Sequence, residues 1–515
     1  MRLFRSAAAV AVSVTLAAGM AACNSDLTSL NQNPNNPEDV PYGPLFTNAV
    51  QASVGRWLGT TYDLRQLEFV AQHLAEVQYP DEDRYARIKA SDTQNSFLNS
   101  YNGSLEDFRR VVQKGVAAES PAVSAPAVIM QQWEFGYLTD SWGMVPYSQA
   151  LAGDSVGGAL LPEYDSQQAI YNGMFAALTK AVSDLQTPGA SSLGSADPIY
   201  DGDVKAWQKF GNSLRARDAI RISYVDPAKA DAELKAAFAA PGGVFTSNAD
   251  NAQLDWPGDG ISNNPWSNNF QTRDDHRLSK TLYDVLAANN DPRIAVYAMP
   301  TADFQDGKAG ASEYAGQPNG LTAADAGTYF TKTSRPGAIF YPGKTAYGTF
   351  GGAGAKQPSY LMTFAELSFI QAEAAERGLG GLTPASAASY YNAGITASLK
   401  QWGITDPAAI ATFLAQPGVV YQGGTAGLKQ IATQKWVALF TDGGQAWFEW
   451  RRTCQPPAIA PGPAAVLSYV PRRLFYPTSE HTVNGTNVNA AITAQGTDNM
   501  KTQVWWDTKT APTCQ

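Results

Sequence analysis

The chain has 515 residues and a formal net charge of −9, with 16% charged residues, a balance that argues against a nucleic-acid partner. Length alone sets a prior of about three domains, and a chain this long buries roughly three quarters of its surface without needing disulfides to fold. Aromatic residues make up 11%, including 12 Trp and 23 Tyr, many of them in polar stretches rich in Gly, Pro and Asn.

Residues 1–22 read as an export signal. Arg2 and Arg5 give a positive start, Ala7 to Ala18 form an apolar run, and the small residues Ala21 and Ala22 precede Cys23. The run is shorter than the roughly 18 apolar residues that a membrane span needs. The junction resembles a bacterial lipobox, with Met20 where Leu is usual, so Cys23 is expected to be acylated and to become the first residue of the mature chain. Each buried methylene of such an anchor contributes about 0.8 kcal/mol, and two or more acyl chains hold stably. Residues 23–44, rich in Asn and Pro, then read as a tether, and 45–515 as a single body.

Helical patterns dominate that body. Ile170, Met174, Leu178, Ala181 and Leu185 share one face, as do Trp207, Phe210 and Leu214, with Arg215 in reach of Asp218 one turn on. Leu278, Leu282 and Val285 align ahead of a stop at Asn289–Pro292, and "TFAELSFIQAEAAERG" is apolar nearly all round, predicting a buried helix that ends at Gly378. "GLKQIATQKWVALF" predicts a further helix. Segments 240–272, 300–360, 415–427 and 453–500 read as long irregular loops, and strand signals are few and short.

Several motifs carry no chemistry on inspection. "GAIFYPGKT", residues 337–345, has five residues between its glycines where a phosphate-binding loop has four, and a Gly-rich tract rather than a helix follows. His73, His276 and His481 are scattered; His73 and Glu76 could share a helical face, but no second ligand pair is visible, so each histidine is expected to be a satisfied structural residue. No metal and no cofactor is expected. Carboxylate neighbours such as Asp81–Asp83 and Asp255 with Asp259 are the material a glycoside hydrolase would use.

Ligand contacts are sought in "LDWPGDGISNNPWSNNF", where Trp256 and Trp266 stand among turn-forming residues. A Trp there either plugs onto the body or stands out as a stacking platform for a sugar face. Asn263, Asn264 and Asp259 lie close enough in sequence to offer hydrogen bonds beside a stacked ring, and Tyr79 and Trp57 are further candidates. With Cys23 set aside, Cys454 and Cys514 form an even pair, expected to be bridged in an oxidising compartment across a loop of 60 residues.

Taken in order, "LNQNPNNPEDVP", "DSWGMVPYSQAL", "DGDVKAWQKFGNSLRARDAIRIS", "RLSKTLYDVLAANNDPRI", "YLMTFAELSFIQAEAAERG", "YYNAGITASLKQWG", "QAWFEWRRT", "PRRLFYPTSE" and "VWWD" resemble the SusD/RagB family of nutrient-binding outer-membrane lipoproteins, in its SusD-like branch. The resemblance implies a mainly α fold: a body of TPR-like helix pairs with long irregular loops and a few short strands. It also implies a binding protein rather than an enzyme, lipid-anchored at the outer membrane and facing the exterior. Such a protein delivers oligosaccharides or oligopeptides to a TonB-dependent, SusC-like barrel. A membrane-tethered glycoside hydrolase and a non-binding structural subunit are the rival readings. Trp447, Trp450, Arg451 and Arg452 fall in the family-like segments and are expected to be scaffold, with Arg over Trp at helical spacing. Three positions depart from the family pattern: Cys454 stands where Gly is frequent, and Ala216 and Asp218 are smaller or more polar than the usual aliphatics.

Overall fold

The computed structural model describes residues 40–509 and Cys514, so the export signal, Cys23 and residues 23–39 of the tether lie outside the described residues. Among the described residues the body is carried by helices α1 (Tyr42–Trp57), α2 (Leu105–Ala117), α3 (Pro121–Trp142), α4 (Gln167–Asp184), α5 (Val204–Arg221), α6 (Pro227–Ala239), α7 (Phe364–Glu376), α8 (Ala387–Gln401), α9 (Gly424–Ala438) and α10 (Gly443–Thr453). The first begins at Tyr42, inside the stretch read as tether. Side-chain caps fix many of the starts. Ser166, Asp203, Asp226, Thr363 and Asp442 each accept a hydrogen bond from a first-turn backbone N–H, a contact worth typically about 1 kcal/mol. Consecutive helices pack side by side from α2 to α6, and α7 packs on α8, α9 and α5, giving the TPR-like array.

Eight tryptophans (57, 133, 142, 207, 436, 447, 450 and 506) are fully buried, so the aromatic richness of the chain builds core. Two apolar clusters result, one spanning α1 to α6 and the C-terminal segments, the other joining α7, α8 and α9. Arg451 lies 3.8 Å over the Trp447 ring, as the helical spacing suggested.

Three pairs of short antiparallel strands decorate the helices. β1 (Leu74–Glu76) pairs with β3 (His276–Leu278), β2 (Ala252–Leu254) with β6 (Ser359–Met362), and β4 (Lys344–Thr345) with β5 (Gly348–Thr349). The β1–β3 ladder sets Glu76 directly opposite His276. Because 74–76 is a strand, His73 and Glu76 do not share a helical face.

Other expectations change on folding. Arg215 pairs with Glu233 of α6 rather than with Asp218, because packing of α6 on α5 offers a buried partner. The 453–500 segment is not irregular throughout: Thr478–Val483 and Gly485–Gln495 are helical, despite a polar sequence without a clear apolar stripe. Cys454 and Cys514 are joined by a disulfide, their Cα atoms 5.1 Å apart. Cys454 caps α10 in the left-handed region at φ 58°, the conformation that makes Gly frequent at this helix-end position.

Candidate functional site

Most residues singled out for binding are packed inside. Trp57 is fully buried and donates its Nε1–H to Glu134 Oε1 at 3.0 Å. Glu134 also takes Ser53, Arg56 and Ser104, so this ring belongs to a polar hub under α1 and α3. Trp266 is 3% exposed and wedged among Phe270, Phe340 and Phe440. Trp256 is 8% exposed and donates to Ser359 Oγ at 3.0 Å. Asn264 caps the short helix Pro265–Phe270 and donates to the Gln357 carbonyl, while Asn263 braces Gly260 and Asn268. Asp259 is exposed and accepts from the backbone N–H groups of Ile261 and Ser262. The backbone before Asn264 is irregular as expected, but Trp266 lies in the helix Pro265–Phe270, and both indoles press onto the body. As placed here, these two tryptophans are not surface platforms.

Tyr79 is different. It is 66% exposed and has φ 54°, a left-handed conformation that costs a tyrosine free energy. Gln72 and Tyr85 in the same segment also have positive φ. The Arg273 guanidinium lies 5.0 Å from the Tyr79 ring centre, in cation–π range. In the residues just before this arginine, the Thr272 carbonyl accepts from the Tyr347 hydroxyl at 3.0 Å and the Gln271 carbonyl from the Ala346 N–H at 2.9 Å. Tyr347 is 51% exposed at the tip of the β4–β5 hairpin. Two exposed rings thus contact the 271–273 segment. Next to them Phe350 lies under Arg335, which holds Asp274 through both carboxylate oxygens.

Sequence reading had no signal for Arg273 and passed over Tyr347. The Gly-rich tract after the false phosphate loop, set aside as a helix-less tail, is the hairpin that presents it. A two-residue connection between strands is a sequence signature, but "AY" lacks the Asn-Gly chemistry that usually marks it.

Beneath the rings the charges are dense and buried. Glu82 is gripped by Arg65, Asp83 accepts from the Glu76 N–H at 3.1 Å, and Arg273 reaches Asp275 and Glu76. Burial pushes the Asp83 carboxyl up to about 7, and burial followed by Glu82 and Asp275 raises Glu76 well above its usual range. Of the carboxylates singled out for hydrolysis, Glu82 and Asp83 are buried in contacts of this kind, whereas Asp81, Asp255 and Asp259 stand at the surface.

His73 is satisfied as expected. Burial lowers it to about 3, so the ring is neutral. Its Nε2 faces the Trp436 carbonyl at 3.0 Å, which can only accept, so Nε2 carries the proton and Nδ1 accepts. Glu68, whose carboxyl burial raises well above its usual range, lies 2.9 Å from Nδ1. His481 pairs with Asp498 at the surface. His276 has Asp275 Oδ1 at 3.3 Å from its Nδ1.

Asp442, the cap of α10, is pushed up to about 7 by burial, against the pull of Arg217 and the Gln445 N–H. A carboxyl raised in the folded state favours folding fully below its ordinary value of 3.8, and that advantage is lost as pH rises toward 7. Asp442→Asn is therefore expected to be most costly near pH 4 and progressively less so up to about pH 7. Paired denaturation curves of the two proteins across that range check the sign; a cost that grows with pH overturns it.

The SusD-like family, described as starch-binding and associating with outer membrane, matches residues 34–477. The chain is similar in structure to a chitin-binding protein, with TM-score 0.77 and 26% identity over 91% of this chain and 100% of that one. A chitin-binding SusD homolog from Flavobacterium johnsoniae aligns with TM-score 0.69 and 27% identity over 92% and 98%. A SusD homolog from Bacteroides uniformis aligns with TM-score 0.76 and 25% identity over 92% and 100%. No curated relative matches the chain by sequence. Among the described residues no helix is long and apolar enough to cross a membrane. A sequence match over residues 34–477 and a structural match over 92% of the chain agree: the chain belongs to the SusD-like family of outer-membrane-associated binding proteins.

Proposed function

We propose that the chain is a surface lipoprotein, anchored through Cys23, that captures oligosaccharides and passes them to a TonB-dependent, SusC-like barrel. The ligand class this reading favours is the β-linked N-acetylated glycan that two of its structural relatives are named for. The observation that carries the reading is Tyr79: a strained, two-thirds exposed ring backed by Arg273, with Tyr347 on the same 271–273 segment. A flat ring with two side-chain torsions matches the C–H face of a sugar at little entropic cost, and strain of this kind concentrates at binding sites. The guanidinium and the neighbouring backbone supply donors for hydroxyl and acetamido oxygens.

Tyr79→Ala should weaken binding of chitin oligosaccharides by about tenfold or more, equivalent to about 1.4 kcal/mol, and leave the melting temperature unchanged, because an exposed ring holds little of the core. Calorimetric titration and a thermal melt check both halves. Unchanged affinity moves the site elsewhere, and shortened oligosaccharides after incubation with the wild-type protein favour the hydrolase reading instead.

A further inference from the structure

We propose that His276, Glu76 and Glu82 form a binding site for a single divalent transition-metal ion of the zinc type, beneath the Tyr79 loop. One donor atom from each lies within 4.8 Å of the other two. Three parts of the chain bring them together: β1 and β3 place Glu76 and His276 opposite one another, and the turn after Tyr79 delivers Glu82. His276 is fully buried, its ring stacked on Phe69 and edge-on to Phe270. Neither ring nitrogen makes a hydrogen bond, although Asp275 Oδ1 approaches Nδ1 at 3.3 Å. Glu76 Oε2 and Asp83 Oδ1 are likewise buried without a partner. A buried polar atom with no partner costs about 1–3 kcal/mol, and His276 and Glu76, which each carry one, have donor atoms within 4.8 Å of one another and of Glu82.

Glu76, Glu82 and Asp275 are paired with two guanidiniums, Arg65 and Arg273, and Arg84 acts on Asp83 besides binding Asp81 and the Ala464 carbonyl. Arg273 occupies Glu76 Oε1, which leaves Oε2 for an ion. Arg65 takes both oxygens of Glu82, each of which retains a second lone pair. One imidazole nitrogen with carboxylate oxygens suits zinc or a neighbour in the series, whereas calcium takes six to eight oxygens. Bonds of about 2.0–2.2 Å to a tetrahedral ion set donors about 3.3–3.6 Å apart, so closure takes side-chain movements of about an ångström. Arg273 is the partly exposed member of the cluster and Tyr79 lies over it, so an ion would arrive past that arginine.

The test is equilibrium dialysis and calorimetry of the full chain, stripped with a chelator, against Zn²⁺ alone and Ca²⁺ alone. One equivalent of Zn²⁺ is expected, with a raised melting temperature and no saturable uptake of Ca²⁺. His276→Gln and Glu82→Gln should each weaken Zn²⁺ binding by about tenfold or more while keeping the helical circular-dichroism spectrum. X-ray absorption should show a shell of oxygen and nitrogen without sulfur. Absence of stoichiometric Zn²⁺, or equal affinity in Glu82→Gln, overturns the proposal, and the second variant decides should His276→Gln fail to fold. Sugar affinity of Tyr79→Ala is a separate readout, so failure of one reading leaves the other standing.

Discussion

Replacing Glu449 with Gln is expected to cost about 3–5 kcal/mol of stability, although the side chain keeps its size. Glu449 of α10 accepts from Lys435 Nζ at 3.0 Å and from Arg452 Nε at 3.1 Å, and lies 3.4 Å from Arg221 Nη1. All four side chains are 3% exposed or less. Arg452 also reaches Glu373 of α7, so the network ties α5, α7, α9 and α10 together. Removing the one carboxylate shared by three buried cations takes from Lys435 its ion-pair partner, whereas Arg452 keeps Glu373 and Arg221 keeps Asp140. Burial works against the charge of Glu449, yet Arg452, Lys435 and Arg221 hold its pKa well below the usual 4.5. Its contribution is therefore present above that value and is lost as pH falls below it. Denaturant unfolding of both proteins at neutral pH measures the cost, and the gap should narrow in acid. A loss under about 1 kcal/mol at pH 7 would place the network in the weak class of ion pairs.

Trp266→Ala is expected to be about as damaging, about 3–5 kcal/mol, with sugar affinity intact in the fraction that remains folded. Its indole fills the space between Phe270, Phe340 and Phe440, with ring centroids 5.5–6.3 Å away. The surrounding segments are anchored on both sides: Asn264 binds the Gln357 carbonyl, and Thr60 donates to that of Pro265. They cannot collapse fully into the vacated volume, which is what makes the truncation expensive. Trp266→Phe should recover most of the loss. Weakened binding in a Trp266→Ala protein of unchanged stability would return this ring to the ligand site.

Family membership and the helical class were legible because they rest on local and ordered signals. The stripes of α4 and α5, the all-round apolar α7 and its stop at Gly378, which takes φ 66°, are readable within single segments. The bridge of Cys454 to Cys514 followed from an even cysteine count.

The site was a different matter. The sequence put Trp256 and Trp266 ahead of Tyr79 and Trp57, because a Trp among turn residues reads the same whether its ring folds inward or outward. Tertiary packing decided: the indoles found aromatic neighbours and hydrogen-bond acceptors more than 70 residues away, such as Glu134, Ser359 and Phe440. Tyr79 was held out on a left-handed backbone. The partners of His276 were equally invisible, since Glu76 is 200 residues distant and meets it only through strand register. The sequence by itself determined the helices, the family and the bridge, because hydrophobic periodicity and residue order are written along the chain. Only the tertiary structure decided which rings face water and which carboxylates share a histidine, because burial and long-range pairing are set by the whole fold at once.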